Sequence, residues 1–247
     1  MKYGISVSMI TKNAEHTIEQ TLRSVHGWVD EIVIVDDHST DRTVEIAKQY
    51  SATVHLHAQP SEGLQRVYAL SKIKNEWILV LDSDEVVSKE LREEILKTIH
   101  GSTPLDGYWV PFQSFFINKP LNHGGEQYSK LILFQHAKVS VLPVPIHSVY
   151  TIPNGKVGTL QNKMLHYSYL STTHVWKKLI SYAHREAVCK KTEGVHTSMK
   201  DVILNPLFMF YARFLKQQGY KDGLFRVPLD LAYAYREFLI ALMLLKE

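Results

Sequence analysis

The first hundred residues alternate short apolar runs with stretches of helical spacing. Ile5–Ile10, Glu31–Asp36, Ala52–Leu56 and Trp77–Leu81 are strand-length and rich in Ile, Val and Leu. Near-continuous runs of this kind suit strands buried on both faces. Between them lie helical patterns. Glu15–Val25 carries Ile18, Leu22 and Val25 on one face. Asp41–Tyr50 has Ser39 or Thr40 as its cap, Glu62–Lys74 follows, and Ser88 caps Ser88–Ile99. The alternation predicts βαβ units and a mostly parallel sheet with helices on both faces, an α/β fold. After about Gly101 the pattern changes. Gly107–Ile117, Lys130–Gln135, Lys138–Leu142 and Lys163–Tyr167 read as strands separated by Gly, Pro and Asn turns. Three helical stretches follow, 172–192, 198–218 and 224–246, with Pro206 expected to kink or start a helix. The organisation expected is an α/β domain over 1–168 and a helical extension over 169–247.

Composition narrows the class. The 247 residues are 45% hydrophobic and 21% charged, enough apolar material for a core and too much for a disordered chain. A single cysteine, Cys189, rules out an internal disulfide and points to a reducing, cytoplasmic compartment. Met1-Lys2-Tyr3 runs straight into an apolar strand, so no secretory signal is expected. No run of 18 apolar residues is present, and no spanning helix is expected. The net charge of +3 gives no case for a nucleic-acid partner. Its distribution is uneven: residues 160–247 hold 13 Lys and Arg against 7 Asp and Glu. Basic, aromatic helices of this kind suit an anionic membrane surface, with Lys177, Lys178, Lys190 and Lys191 as the contacts. The alternative is that the aromatics pack inward and the basic residues form a solvated face.

Ligands bind an open α/β sheet at the carboxyl ends of its strands. Three strand ends here carry polar clusters: Thr11-Lys12-Asn13, Asp36-Asp37-His38-Ser39-Thr40-Asp41 and Asp82-Ser83-Asp84-Glu85. In parallel neighbours they converge on one crevice. Neither a G-x-G-x-x-G loop nor a P-loop is present to cradle phosphate. Clustered carboxylates repel unless a cation neutralises them, and oxygen ligands favour Mg²⁺ or Mn²⁺, which would hold a substrate diphosphate in place of a glycine loop. Asp82 and Asp84 are the metal candidates, and Glu85 reads better as a helix-capping carboxylate. His147, between prolines and valines, is either a third ligand or a hydrogen-bonded core residue. His55 and His57 read as structural, and Cys189 is given no role.

These segments resemble a family. ISVSMITKN (5–13), EIVIVDDHSTDRT (31–43) and WILVLDSDE (77–85) look like the three signatures of family 2 glycosyltransferases, most like the small bacterial subgroup that includes lipopolysaccharide core β-glucosyltransferases. The likeness continues more loosely through His123-Gly124-Gly125, KLILF (130–134), His166-Tyr167-Ser168 and GYKDG (219–223). It implies the GT-A fold and inverting transfer of a sugar from a nucleotide sugar, a UDP-hexose, to a saccharide acceptor on a lipid carrier or lipopolysaccharide core. It implies that Thr11, Asn13 and Asp37 line the nucleoside, that Gln65, Arg66 and Ser83 approach the nucleotide and diphosphate, that Asp82 faces the ribose or metal, and that Asp84 ligates Mn²⁺ or Mg²⁺. The enzyme would work on the inner face of the cytoplasmic membrane.

Two departures stand out. Ser148 follows His147 where the subgroup often has Glu, and Ile132 takes the place of an Arg. The acceptor-activating base therefore falls to Glu126, the only acid between Asp106 and Glu186, just after a glycine turn. The departures also raise an alternative, a nucleotide-sugar-binding module that has lost turnover. A weaker rival is an aspartyl phosphatase with Asp82 as nucleophile, but no paired acids follow between 107 and 247.

Overall fold

The structure is a computed structural model and describes residues 4–101, 104–142 and 149–245. In chain order the regular elements are β1 (Ile5–Thr11), α1 (Ile18–Val25), β2 (Glu31–Asp36), α2 (Thr43–Gln49), β3 (Thr53–Leu56), α3 (Glu62–Leu70), β4 (Trp77–Leu81), β5 (Glu85–Val87), α4 (Lys89–Ile99), β6 (Gly107–Phe116), β7 (Lys119–Pro120), β8 (Ser129–Gln135), β9 (Ser140–Leu142), β10 (Val149–Thr151), β11 (Val157–Thr159), β12 (Met164–Tyr169), α5 (Thr172–Thr192), α6 (Met199–Phe210) and α7 (Val227–Leu245). A π-helical turn, Tyr211–Lys216, continues α6.

The α/β class is as the pattern predicts: a mixed sheet followed by C-terminal helices. The strand order is β3-β2-β1-β4-β8-β6-β12-β5, with β11 alongside β6. β3, β2, β1 and β4 are mutually parallel, so Thr11, Asp36 and Leu81 all end on one edge. β8 returns antiparallel to β4, with Leu79 opposite Leu133. β1, β2 and β4 are buried along almost their whole length, because helices cover the sheet faces. α1 gives Ile18, Leu22 and Val25 to that core, and α4 gives Leu91, Ile95 and Ile99. Each such side chain stabilises by about 1.5–3 kcal/mol on burial. Ser88 caps α4 by accepting from Leu91 N, as expected. α2 differs: it starts at Thr43, and the Asp41 carboxylate, rather than Ser39 or Thr40, accepts from the Thr43 amide at 3.0 Å.

The chain divides into two compact units, Met1–Phe112 with Tyr128–His166, and Gln113–Gln127 with Tyr167–Glu247. The second unit therefore takes Gln113–Gln127, which the strand pattern places with the α/β domain. Its core gathers Phe116, Leu121, Tyr169, Val175, Leu179, Leu229 and Ala232. α7 packs on both α5 and α6. Pro206 lies inside α6 rather than at its start. Among the described residues no helix is long and apolar enough to cross a membrane.

Candidate active site

The parallel edge of the first unit is stitched by its own loops. Asp37 N donates to Thr11 O at 2.9 Å, extending the β1–β2 ladder past the strand end. The chain then turns through Asn13 and His38, both at positive φ, 49° and 51°. Asn tolerates that region because its short side chain can bond locally. Here Asn13 Oδ1 accepts from Thr40 N at 2.9 Å, and Asn13 N donates to Ser39 Oγ at 2.7 Å. Asp36 is buried and takes both the amide and the hydroxyl of Ser39. Asp41 accepts from the amide and hydroxyl of Thr43 and from Glu15 N. Burial alone would raise Asp41, but these bonds hold its carboxyl below the usual range. Of the three acids in this loop, two are thus structural. Asp37 is left at the rim, 38% exposed, with Lys12 Nζ at 2.8 Å.

α3 carries the next groups across this edge. Ser61 caps it by accepting from Leu64 N, which fixes Gln65 and Arg66 on its first turns. Gln65 Nε2 donates to His57 O, while Gln65 Oε1 is buried with no partner among the described residues. Thr11 Oγ1 is in the same condition. Leaving such a group unpaired costs about 1–3 kcal/mol, so two of them at one strand edge fit a ligand that supplies the missing bonds. His57 itself stacks on Tyr68 at 3.9 Å between ring centres, a structural role.

Arg66 reaches the end of β4. Its Nη2 donates to Asp82 Oδ1 at 2.9 Å, it pairs with Glu62, and Nη1 lies 3.4 Å from Tyr150 Oη. Lys130, at the head of β8, donates to Asp82 Oδ2 at 3.2 Å and to Glu85 Oε1 at 2.7 Å. The remaining Glu85 oxygen accepts from Asp82 N. Burial would raise Asp82, but Lys130 and Arg66 hold it well below the carboxylate range. Burial and the Asp82 charge push Glu85 up, against the pull of Lys130. Burial would lower Lys130, and the two acids hold it far above the ordinary lysine range. Ser83 is anchored through its carbonyl, which accepts from Thr21 Oγ1 at 3.0 Å.

Asp84 faces a histidine. β12 pairs with β5 so that His166 lies opposite Glu85, and this sets His166 Nε2 3.4 Å from Asp84 Oδ1. His166 Nδ1 is 2.6 Å from Tyr128 Oη, and Tyr128 stacks on Phe112. Burial lowers His166, but Asp84 outweighs it and raises the imidazole above its usual value. Among the described residues no group of three or more His, Cys, Asp or Glu is arranged to hold a metal. Both Asp82 oxygens are taken by cationic side chains. His147 lies outside the described residues. The Asp84 carboxylate, completed by substrate phosphate oxygens and water, has donor chemistry that fits a divalent ion, and the His166 imidazole in its neutral form would add a nitrogen ligand. His166 and Lys130 were legible only as parts of longer family-like segments, not as site residues. The signal that marks Lys130 is a lysine heading an otherwise apolar strand.

Glu126 has a different setting. It lies in the second unit, 4% exposed, and Arg213 Nη2 donates to it. Arg213 also donates to Asp230 through Nε at 3.0 Å and lies 3.7 Å over the Tyr233 ring. Arg226 completes the cluster, gripping Asp230 with two bonds and Asp222 with one. Glu126 is thus part of a buried ionic network, not a carboxylate open to an acceptor hydroxyl.

The family model described as Glycosyl transferase family 2 matches residues 6–153, well over half the chain. The chain belongs to glycosyltransferase family 2. It is 28% identical over 248 residues to an uncharacterized glycosyltransferase of Rickettsia bellii, covering 95% of this chain and 84% of that one. It is 24% identical to the lipopolysaccharide core biosynthesis glycosyltransferase LpsC of Rhizobium meliloti, covering 90% and 85%. Among solved structures it resembles glucosyl-3-phosphoglycerate synthase from Mycobacterium tuberculosis, determined with Mn²⁺, UDP and glucosyl-3-phosphoglycerate. That match has a TM-score of 0.36 and 25% identity, over 46% of this chain and 44% of the synthase chain. As a family 2 glycosyltransferase, the protein performs nucleotide-sugar-dependent glycosyl transfer, and the matched segment contains β1 to β4 and their polar ends.

Proposed function

We propose that this glycosyltransferase moves a hexose from a UDP-sugar, with inversion, onto a saccharide carried by a lipid or lipopolysaccharide core at the cytoplasmic face of the membrane. The observation that carries the donor half is the row of Thr11, Asp37, Gln65, Arg66, Asp82 and Asp84 along one strand edge, with Thr11 Oγ1 and Gln65 Oε1 buried and unpaired among the described residues. The acceptor half is supported by the lipopolysaccharide core function in the name of the Rhizobium meliloti relative.

In this reading Thr11, Asn13 and Asp37 receive the nucleoside, with the unpaired Thr11 hydroxyl and Gln65 carbonyl supplying specificity. Arg66 and Lys130 orient Asp82 and give the diphosphate a positive neighbourhood, and Ser83 holds the loop in place. Asp84 with His166 would hold Mn²⁺ or Mg²⁺, which stabilises charge on the leaving diphosphate as a Lewis acid. Tyr128 fixes the His166 ring for that task. Glu126 serves the C-terminal fold.

The test is thermal stabilisation by a panel of nucleotide sugars, with and without Mn²⁺, because a ligand that binds only the folded state raises stability by mass action. A Mn²⁺-dependent shift with one UDP-sugar, lost in Asp84→Asn while the ligand-free midpoint stays put, supports the assignment. If Asp84→Asn binds UDP and Mn²⁺ like the parent, the site is misplaced. If UDP binds but no sugar is transferred or hydrolysed, the binding-module alternative replaces the enzyme.

A further inference from the structure

We propose that the outer face of α6 and its π-helical continuation is an in-plane anchor on an anionic lipid surface. Ile203, Leu204, Leu207, Phe208, Tyr211 and Leu215 are each at least half exposed. Single exposed apolar residues are ordinary, but these recur at helical spacing along one segment, and contiguous apolar faces of this kind mark interaction sites. The opposite face is already used: Val202 and Arg213 are buried, and α6 packs on α7. The apolar face is therefore surplus to the fold.

The charges around it select the partner. Between Met199 and Asp222 the charged residues are Lys200, Asp201, Arg213, Lys216, Lys221 and Asp222. Asp201 is turned into the helix cap, taking the amide and hydroxyl of Ser198. Asp222 is bonded to His123 and Arg226, and Arg213 to Glu126 and Asp230. The exposed charges left are three lysines, Lys200 before the apolar face and Lys216 and Lys221 after it. An apolar helix face flanked by lysines complements acyl chains below and anionic headgroups around. A second copy would bring the same positive charges against these. The charges spread along the segment, and the absence of a spanning helix among the described residues, fit a helix lying in the surface rather than crossing it. The lysines that composition alone suggests are less suitable: Lys178 Nζ is held by Ser168 Oγ at 2.7 Å and Lys190 by Glu186 at 2.9 Å.

Flotation with phosphatidylcholine vesicles, with and without phosphatidylglycerol, tests the anchor. The full chain should float with the anionic vesicles and stay behind with phosphatidylcholine alone. Leu207→Asp with Phe208→Asp should abolish flotation while circular dichroism and the unfolding midpoint hold. Lys200→Gln, Lys216→Gln and Lys221→Gln together should weaken partitioning about a hundredfold at low salt. Flotation by the double aspartate variant equal to the parent overturns the inference. So does a parent that never floats, and so does a dimer in light scattering that falls to monomer in the variant without any lipid binding. The readout is lipid, not sugar: a chain that floats but binds no nucleotide would sink the donor assignment and leave the anchor standing.

Discussion

Replacing Arg226 by Met is the sharpest test of how the C-terminal unit is held. Arg226 is fully buried. Its Nε and Nη2 donate to the two oxygens of Asp230 at 2.8 and 2.9 Å, and its Nη1 to Asp222 Oδ2 at 2.8 Å and His123 O at 2.9 Å. Methionine keeps most of the volume and removes every one of these bonds. Among the described residues Asp230 then retains Arg213, and Asp222 retains His123 and the amides of Asn122 and His123. Breaking a buried pair from one side costs about 3–5 kcal/mol, because a carboxylate is left uncompensated. For a chain of this size that lowers the melting temperature by roughly 10 °C. The sign of the pH dependence follows from Asp222. Burial would raise it, but His123, the two amides and Arg226 hold its carboxyl below the usual value. A depressed carboxylate stabilises the fold above its unfolded pKa, about 3.9, and loses that contribution as pH falls through the folded value. The variant loses part of this depression, so its deficit should be full at pH 7, hold down to about pH 4, and shrink only as pH falls further, through the folded values. Urea unfolding followed by circular dichroism across that range measures it. A deficit under about 1 kcal/mol at neutral pH, or one that widens on acidification, refutes the argument.

Two further substitutions separate function from fold. Thr11→Val removes a buried hydroxyl that has no partner among the described residues; ligand-free stability should hold or rise by up to about 1 kcal/mol, while nucleotide affinity falls about tenfold, read by thermal shift and by titration calorimetry. A Thr11→Val protein that binds UDP like the parent removes the hydroxyl from the donor site. Glu126→Gln keeps an acceptor oxygen for Arg213, which also keeps Asp230, so it should lower stability by about 1.5–3 kcal/mol and leave the turnover of the folded enzyme within a few-fold of the parent. A stable Glu126→Gln protein with turnover down more than about a hundredfold would instead restore Glu126 as the general base.

The fold was legible where burial is two-sided. Ile5–Thr11, Glu31–Asp36 and Trp77–Leu81 are apolar before their last position except for two small serines, Ser6 and Ser8, and the leading Glu31, and that pattern has few solutions other than a parallel central strand. Short strands paired at long range were not legible. Glu85–Val87 has three residues and reads as the lead into a helix; only its pairing with Met164–His166, nearly eighty positions on, makes it a strand. Val157–Thr159 is a strand for the same reason, through Gly107–Trp109, whereas Val149–Thr151 pairs with the nearby Ser140–Leu142. The placement of Gln113–Gln127 was hidden too, since a segment cannot announce which core will take it.

The site was half legible on the same grounds. Residues that follow directly from a strand end, Thr11, Asp37, Asp82 and Asp84, stand on one edge because parallel pairing puts them there, and the sequence contains that pairing implicitly. What the sequence does not contain is which acids are already spent. Asp36 and Asp41 look like Asp37 in a string of letters, yet local turns consume both. Asp82 looks like Asp84, yet Arg66 and Lys130 come from other elements to take both of its oxygens. Glu126 looks available after two glycines, until a helix almost ninety residues away brings Arg213. In each case the deciding partner is a cation set by tertiary packing. An acid's role is fixed by its nearest positive charge more than by its motif, because one such neighbour within about 4 Å changes its charge preference by 1–3 pKa units. Asp84 has the His166 imidazole 3.4 Å away, and the proposed divalent-ion site would draw on that pairing.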